Sequence, residues 1–230
     1  MKATKPGQAV SVVMLGASGA VGGQVVSTLL KSPGVSRLTL LGRKPVPGIT
    51  GPALEQHTVD ALSAASYQHL LAGHGCAICT LGVGQPSKMS RQEFLKIDRD
   101  AVIDFATACK TAGVRHFELL SAVGANAKSP SFYLRTKGEL QEALVAMKFE
   151  RLSLFQPSMI LTPTNRYGIQ QALTLALWPL LSHALIGPTR KYRGIRMEAL
   201  GEAMATNLFT KGTGVEYLQW DEFGALATAR

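Results

Sequence analysis

Short apolar segments rich in valine, isoleucine and leucine alternate with longer segments of helical pattern from the start of the chain to about residue 156. The predicted strands are Ala9–Leu15, Arg37–Leu41, Gln56–Val59, Cys76–Leu81, Arg115–Ser121 and Leu152–Phe155. The predicted helices are Val21–Lys31, Arg91–Ala112 and Phe132–Met147. Strands separated regularly by helices form βαβ units around a parallel sheet. The pattern therefore predicts an α/β fold with a doubly wound parallel sheet.

The pattern changes after Pro157. It predicts an apolar helix, Tyr167–Leu185, then a basic turn, a helix from about Met197 to Phe209, and a last strand, Val215–Trp220. No low-complexity linker interrupts the chain, so we expect a single domain over 1–230. Residues 157–230 would form a small helical elaboration on its substrate side. The apolar helix is too short and too polar for a membrane span, and three roles stay open for it: core or pocket wall, dimer surface, or membrane surface.

Composition narrows the class of protein. Hydrophobic residues make up 46% and charged residues 17% of the 230 residues, which is incompatible with intrinsic disorder. The three cysteines form no disulfide framework and no secretory signal is evident, so we expect a reducing, cytoplasmic location. The net charge of +9 suits an anionic ligand. No nucleic-acid-binding motif accompanies the basic residues Arg190, Lys191, Arg193 and Arg196, so we predict a solvated loop or a cofactor contact there and no nucleic acid as partner.

A glycine-rich turn, LGASGAVGG, joins the first predicted strand to the first helix. In the spacing G-x-x-G-x-x-G, the first glycine permits a tight turn, the second admits a pyrophosphate, and the third allows the helix to pack closely on the strand. Amides at the helix start would then face the phosphates. The strand–turn–helix context favours a dinucleotide over a purely structural turn. The expected contact residues are Gly16, Ala17, Ser18, Gly19, Ala20, Val21 and Gly22.

The end of the second strand indicates which dinucleotide binds. NAD-binding folds usually carry an acidic residue there for the ribose 2′-hydroxyl, whereas this chain has Arg43 and Lys44. A guanidinium binds a 2′-phosphate with two parallel hydrogen bonds, so the pair predicts NADP(H) in preference to NAD(H); the alternative is a solvated basic loop. Asp60 is expected at the adenine edge. Leu81 and Gly82, after the fourth strand, complete the predicted cofactor site.

Three further residues have the chemistry of an acid/base site. Ser121 ends a predicted strand, and Tyr133 and Lys137 follow at positions i and i+4 on one helix face. An ammonium beside a phenol favours the phenolate and so lowers the tyrosine pKa. Tyr133 could then exchange a proton with a carbonyl oxygen during hydride transfer, while Ser121 hydrogen-bonds the same oxygen. A chance Y-x-x-x-K pattern is the alternative.

Other candidate motifs are weaker. Cys76 and Cys79 match C-x-x-C, but they lie in a predicted strand, where residues three apart point to opposite faces. We interpret them as buried packing residues. The five histidines show no metal-ligand spacing, so no metal site is predicted.

These motifs together resemble the atypical or extended short-chain dehydrogenase/reductase superfamily. The segments LGRKP, CTLG, DRDAVIDFATACKTAGVRHFELLSAVGA, YLRTKGELQEAL and FQPSMIL are similar to its Tat-interacting-protein, NmrA-like family over about residues 10–210. The resemblance implies a Rossmann fold with NADP(H), and Ser121, Tyr133 and Lys137 as the triad. Two departures are evident: no relay asparagine stands on the Arg91–Ala112 helix, and Leu15 replaces a threonine common in relatives.

The sequence thus predicts an NADP(H)-dependent oxidoreductase that transfers hydride to or from a small carbonyl or alcohol substrate. Tyr133 would be the acid/base, Lys137 would tune its pKa, and Ser121 would donate to the reacting oxygen. The alternative is an NADP(H)-sensing regulatory protein with little or no turnover, which some family members resemble. Substrate, direction and a possible homodimer stay open.

Overall fold

The structure, a computed structural model, describes residues 9–84, 88–162 and 185–228. The strands are β1 (Val10–Leu15), β2 (Val35–Gly42), β3 (Leu54–Thr58), β4 (Cys76–Cys79), β5 (His116–Leu120), β6 (Arg151–Phe155), β7 (Ile160–Leu161), β8 (Ile195–Arg196) and β9 (Gly214–Leu218). The helices are α1 (Ala20–Leu30), α2 (Arg91–Leu95), α3 (Ala101–Thr111), α4 (Phe132–Ala146), α5 (Met197–Asn207) and α6 (Trp220–Thr228). Within these ranges no helix is long and apolar enough to cross a membrane.

Seven parallel strands form the main sheet in the order β3-β2-β1-β4-β5-β6-β9. The order reverses beside β1, which is the topological switch point at which doubly wound folds bind ligands. The predicted α/β class is therefore confirmed. β7 and β8 form a separate parallel pair.

Apolar side chains fill both faces of the sheet, as a parallel sheet covered on two sides requires. On one face, Val13, Phe117 and Leu152 pack beneath α3 and α4. On the other, Met14 and Ile78 pack beneath α1 and α5. The alternation along each strand thus puts consecutive residues of the same apolar run into two different cores.

A buried polar cluster joins β5, β6, β9 and α5. Arg151 donates to Glu216 Oε2 at 3.0 Å and to Asn207 Oδ1 at 2.8 Å. Ser153 donates to the same oxygen of Glu216 at 2.8 Å, and Asn207 Nδ2 donates to Glu118 Oε1 at 2.8 Å. The seventh strand is therefore attached to the sheet by charged side chains as well as by its backbone.

Several element boundaries differ from the prediction. The fourth strand ends at Cys79 rather than Leu81: Thr80 still donates its N–H to Leu15 O at 2.9 Å, and its hydroxyl donates to Gly16 O. The long helix predicted over Arg91–Ala112 is divided by a π-helical turn, Lys96–Asp100. The last predicted strand joins the main sheet, and α6 follows it where no helix was predicted. The predicted helix Tyr167–Leu185 lies, apart from its last residue, outside the described residues.

Candidate functional site

The turn after β1 is built from glycines that leave no room for side chains. Gly16 has a φ of +98°, a conformation that L residues with side chains rarely adopt, and a Cβ there would lie 2.5 Å from the Leu81 amide nitrogen. A Cβ on Gly22 would collide with Gly16 O and lie 2.8 Å from Thr80 Oγ1. The turn is held by hydrogen bonds to Gly16 O from Gly19 N and Thr80 Oγ1, both 3.0 Å. It is therefore the close-packed cradle that the glycine spacing predicts.

α1 begins at Ala20, directly after this turn. Gly19 is its N-cap and provides no side-chain oxygen, and no acidic residue lies in the first turn. The first amides of a helix have no partner within the helix, and the positive end of its dipole favours anions. The start of α1 is thus available to phosphate groups, as a dinucleotide requires.

A cleft extends from the glycine turn to the loop after β2. Its lining includes Gly16, Ala17, Ser18, Leu81 and the two basic residues Arg43 and Lys44, which are both exposed. The carboxamide of Gln56 accepts from Val46 N at 2.8 Å and donates to Val46 O at 3.3 Å. This double contact ties down the loop that carries the basic pair. The cleft thus connects the glycine turn with two exposed cationic side chains.

Asp60 does not line this cleft. Its Oδ1 accepts from Leu62 N at 2.9 Å, so the exposed carboxylate caps its own turn after β3. Ala61, the next residue, is buried and does line the cleft. One oxygen of Asp60 thus stabilises the local turn, and its contact with the adenine edge stays a prediction.

Tyr133 and Lys137 lie one turn apart near the start of α4. The helix begins at Phe132 because Ser131 caps it, accepting from Leu134 N. The Lys137 ammonium is 6.0 Å from the centre of the Tyr133 ring, and the ring of Phe94 packs 6.0 Å from the same centre. The predicted pairing of phenol and ammonium on one helix face is present.

Asp98 occupies a position that the sequence analysis did not anticipate. It lies in the π-helical turn and accepts from Lys137 Nζ at 2.8 Å and from Val83 N at 2.7 Å. Both charged side chains are almost fully buried, with 5% of Lys137 and 2% of Asp98 exposed. Gly82 lies beside the pair, since a Cβ there would be 3.2 Å from Asp98 Oδ1. Asp98 thus connects Lys137 to the loop after β4, on the helix where no relay asparagine was found.

The ionisation of Tyr133 is opposite to the predicted direction. Burial raises the pKa of Tyr133; the nearby Lys137 lowers it, but the carboxylate of Asp98 raises it again, and the net direction is upward. Burial lowers the pKa of Lys137, but the charges of Asp98 and Tyr133 and the Asp98 hydrogen bond outweigh burial, so that pKa is raised. Tyr133 is therefore a protonated phenol and Lys137 an ammonium at neutral pH.

Ser121 directly follows β5 and is buried, with 6% exposed. Its Oγ accepts from Gln141 Nε2 at 2.6 Å. Gln141 lies on α4 one turn after Lys137, so the serine hydroxyl is attached to the helix that carries the tyrosine and lysine. All three residues of the predicted triad are thus connected through α4: Tyr133 and Lys137 lie on this helix, and Ser121 is hydrogen-bonded to it.

The remaining predicted features have structural settings of their own. Cys76 and Cys79 are buried in different cores, and burial raises the pKa of each thiol to about 12. No group of three or more potential metal ligands occurs among the described residues.

In the basic turn, Arg190 and Arg193 stack on Trp220, 5.2 and 4.9 Å from its centre, and Arg190 pairs with Asp221 at 2.8 Å. This turn is therefore attached to α6 rather than fully solvated.

Sequence reasoning missed Asp98, Gln56, Gln141 and Gln156. One pattern could have identified Gln156: like Ser121, it is a polar residue directly after a buried strand, at the carboxyl edge where ligands bind. The other three act through partners remote in the sequence, and no local spacing distinguishes them.

Residues 16–154 match the family model described as NAD(P)H-binding. The chain is 35% identical over 153 residues to Protein HTATIP2 of Rattus norvegicus, covering 66% of this chain and 63%, just under two thirds, of that protein. It is 32% identical over 163 residues to the mitochondrial Protein FMP52 of Lodderomyces elongisporus, covering 67% of this chain and 68% of that protein.

Two solved structures show a similar fold. MoeE5 in complex with UDP-glucuronic acid and NAD has a TM-score of 0.70 at 19% identity, covering 90% of this chain and 75% of that chain. The ADP-L-glycero-D-manno-heptose-6-epimerase of Helicobacter pylori has a TM-score of 0.68 at 10% identity, covering 98% and 83%. The predicted Rossmann fold is confirmed by these structures, and the match over residues 16–154 shows the NAD(P)H-binding family.

The prediction of a cytoplasmic location is wrong on this comparison, because the FMP52 relatives of Lodderomyces elongisporus and Candida albicans are named as mitochondrial. The prediction was based on free cysteines. Free thiols distinguish a reducing from an oxidising compartment, but they do not distinguish one reducing compartment from another.

Proposed function

The chain belongs to the NAD(P)H-binding family, and on that premise we propose that it is an NADP(H)-dependent oxidoreductase of the short-chain dehydrogenase/reductase type. It transfers hydride to or from a small carbonyl or alcohol substrate. The observation that carries the proposal is the glycine cradle that opens, along one cleft, onto Arg43 and Lys44. The bound nicotinamide supplies or accepts the hydride, and the chain's own residues move the proton.

The preference for NADP(H) is supported by charge. Arg43 and Lys44 are exposed at the cleft and take part in none of the ion pairs identified among the described residues. A 2′-phosphate between them would gain charge-assisted hydrogen bonds, while the 2′-hydroxyl of NAD(H) would not. Gln56 contributes by fixing the loop in place before the cofactor arrives.

The proton chemistry is supported by the groups around Tyr133. A protonated phenol beside an ammonium can give its proton to a carbonyl oxygen as hydride reaches the carbon. Ser121 donates to the same oxygen and so stabilises the charge that develops there. Residues 157–230, which we propose form part of the same single domain, would shape the substrate pocket.

A regulatory protein that senses NADP(H) with little turnover is the second candidate. The contact between Asp98 and Lys137 favours it, because the carboxylate offsets the charge that would otherwise lower the pKa of Tyr133. Such a protein would bind NADPH through the same cradle.

Paired titrations with NADPH and NADH test the cofactor assignment. A guanidinium–phosphate contact of ~1.5–3 kcal/mol corresponds to roughly a ten- to hundredfold preference for NADPH. Arg43→Ala is expected to lose most of this preference while NADH binding stays unchanged. Oxidation of NADPH with phenanthrenequinone and benzil then separates the two candidates: turnover supports the oxidoreductase, whereas tight NADPH binding without turnover supports the sensor. Binding of neither nucleotide would reject both.

A further inference from the structure

Three glutamine side chains form a chain of hydrogen bonds that ends on Ser121. Gln219 Nε2 donates to Gln156 Oε1 at 3.0 Å, and Gln156 Nε2 donates to Gln141 Oε1 at 3.0 Å. Gln141 Nε2 then donates to Ser121 Oγ at 2.6 Å. Gln156 and Gln141 thus each accept from the preceding glutamine and donate to the next residue, so the hydrogen bonds run in one direction.

This row of hydrogen-bonded side chains runs along the carboxyl edge of the sheet. Ser121, Gln156 and Gln219 are the residues that directly follow the neighbouring strands β5, β6 and β9, and Gln141 faces them from α4. The backbone keeps this row in register, because Ser121 N donates to Phe155 O at 2.7 Å and Gln156 N donates to Leu218 O at 2.8 Å.

We propose that Gln141 is a positioning residue that fixes Ser121 as a hydrogen-bond donor to the reacting oxygen of the substrate. A hydroxyl has one hydrogen, and the Gln141 amide approaches Ser121 Oγ with a hydrogen of its own. The serine hydrogen must therefore point away from Gln141. The proposal rests on the proposed function, since it assigns to Ser121 a partner in the oxidoreductase reaction.

Burial couples the orientations of the three amides, so that one cannot reverse alone. Gln141 and Gln156 each have only 6% of their surface exposed. Reversing one amide would place two oxygens or two NH₂ groups against each other, and an unsatisfied buried polar group costs ~1–3 kcal/mol. Gln219 at the far end is held near the start of α6, where its backbone N–H donates to Glu222 Oε2 at 2.8 Å.

The direction of these hydrogen bonds indicates which substrate oxygen the site would bind. Ser121 donates through its fixed hydroxyl, and Tyr133 is a protonated phenol that also donates. Two donors suit an oxygen that only accepts. The site is therefore preset for the carbonyl oxygen of an aldehyde, ketone or quinone, and for the negative charge that develops on it as hydride arrives.

Gln141→Glu tests the polarity directly. Burial raises the pKa of the introduced carboxyl group above its ordinary value of about 4.3. While protonated, this group can donate to Ser121 as the amide does. Once ionised, it only accepts, and it draws the serine hydrogen away from the substrate. With phenanthrenequinone as probe, kcat for NADPH oxidation should fall roughly a hundredfold as pH rises through the new ionisation, and the wild-type profile should lack this step.

Gln141→Met is the matched control, because it removes the donor without reversing the polarity. We expect about a tenfold loss of kcat with no new ionisation, and NADPH affinity within about twofold of wild type in both variants. A role in packing alone would make the two variants equally poor at every pH. In a Ser121→Ala background, Gln141→Glu should have no further effect on kcat.

The possible results distinguish a failure of this inference from a failure of the proposed function. Wild-type turnover together with a Gln141→Glu profile like that of wild type would overturn the role of Gln141 and leave the proposed function intact. A wild-type protein that binds NADPH but oxidises it with neither phenanthrenequinone nor benzil would reject the proposed function and this inference with it. If Gln141→Glu fails to fold, Gln156→Glu reverses the same chain one residue further from Ser121 and must show the same pH-dependent loss.

Discussion

The ammonium of Lys137 lies 2.8 Å from the carboxylate of Asp98, and both side chains are withdrawn from solvent. A buried ion pair gains little stability over an apolar pair, yet removing one partner leaves an uncompensated charge. We therefore interpret the pair by its effect on Tyr133. The carboxylate of Asp98 partly cancels the positive charge of Lys137 near the phenol.

Asp98→Asn should lower the pKa of Tyr133, because it removes the negative charge and keeps a hydrogen-bond acceptor near Lys137. The phenolate absorbance of the variant, titrated against pH, measures the shift, and an Asp98→Asn/Tyr133→Phe double variant identifies the band. Asp98→Ala, which also removes the acceptor, should cost ~3–5 kcal/mol of unfolding free energy. An unchanged Tyr133 titration in Asp98→Asn would contradict this account.

Tyr133→Phe should reduce kcat for quinone reduction by roughly a hundred- to ten-thousandfold without changing NADPH affinity. Because burial and Asp98 raise the pKa of Tyr133, the phenol stays protonated and the wild-type rate of reduction should be flat from about pH 6 to about pH 9. It should fall only when the pH passes the raised value. A midpoint near neutral pH would show that another group provides the proton.

Gly22→Ala should weaken both folding and cofactor binding, because its Cβ would collide with Gly16 O and press on Thr80. The expected cost is ~1–3 kcal/mol of unfolding free energy, with at least about tenfold weaker NADPH binding. Gly23→Ala is the matched control in the same helix. Its Cβ would meet only Ala17 O at 3.8 Å, so it should stabilise α1 by ~0.5–1 kcal/mol. Thermal unfolding with and without NADPH compares the two.

Glu118→Gln should change how stability depends on pH. Burial raises the pKa of Glu118 well above its ordinary range; the Asn207 hydrogen bond and the charge of Arg151 oppose this, and Glu216 reinforces it. The folded state therefore keeps a proton that the unfolded chain releases near pH ~4.3, and stability declines as pH rises from there toward the raised value.

The amide of Glu118→Gln carries no such proton, so the variant should lose less stability than wild type between about pH 5 and about pH 8. Denaturant unfolding at both values measures the difference. His116, whose pKa is lowered to about 3 by burial and by Arg151, contributes the opposite slope. Because His116 Nε2 lies 3.6 Å from Glu118 Oε1, its slope can change with the substitution, so the comparison is repeated in a His116→Gln background, where that slope is absent. Parallel curves would show that Glu118 is ionised in the folded protein.

The strands of the Rossmann half could be predicted from the sequence because their apolar runs are buried on both faces and short turns separate them. The glycine turn could be predicted because its backbone requirements are local. α6 was missed because its first residue, Trp220, continues an alternation that resembles a strand. The residues that indicate the start of a helix are the acidic Asp221 and Glu222 in its first turn.

The roles of the predicted site residues stay a prediction, and the sequence analysis did not include the charge of Asp98 beside Lys137. Tyr133 and Lys137 are neighbours because both lie on α4, a relation that sequence spacing fixes. The π-helical turn brings Asp98 from another helix to the same lysine, and a contact between residues so distant in the sequence has no local pattern. Burial of the phenol is the main cause of the raised pKa of Tyr133 and Asp98 adds to it; neither follows from the spacing of Tyr133 and Lys137, from which a lowered pKa was predicted.

The pairing of β9 with β6 has a consequence for biosynthesis. A ribosome makes Arg151 and Glu118 well before Asn207 and Glu216, which supply their partners. Until those residues emerge, β6 is an open edge strand and the guanidinium of Arg151 is exposed to water. The six earlier strands of the sheet can pair, but Arg151 and Glu118 are covered only when α5 and β9 have been made. We therefore expect a chain truncated before Glu216 to be cleaved faster by proteases than the longer chain.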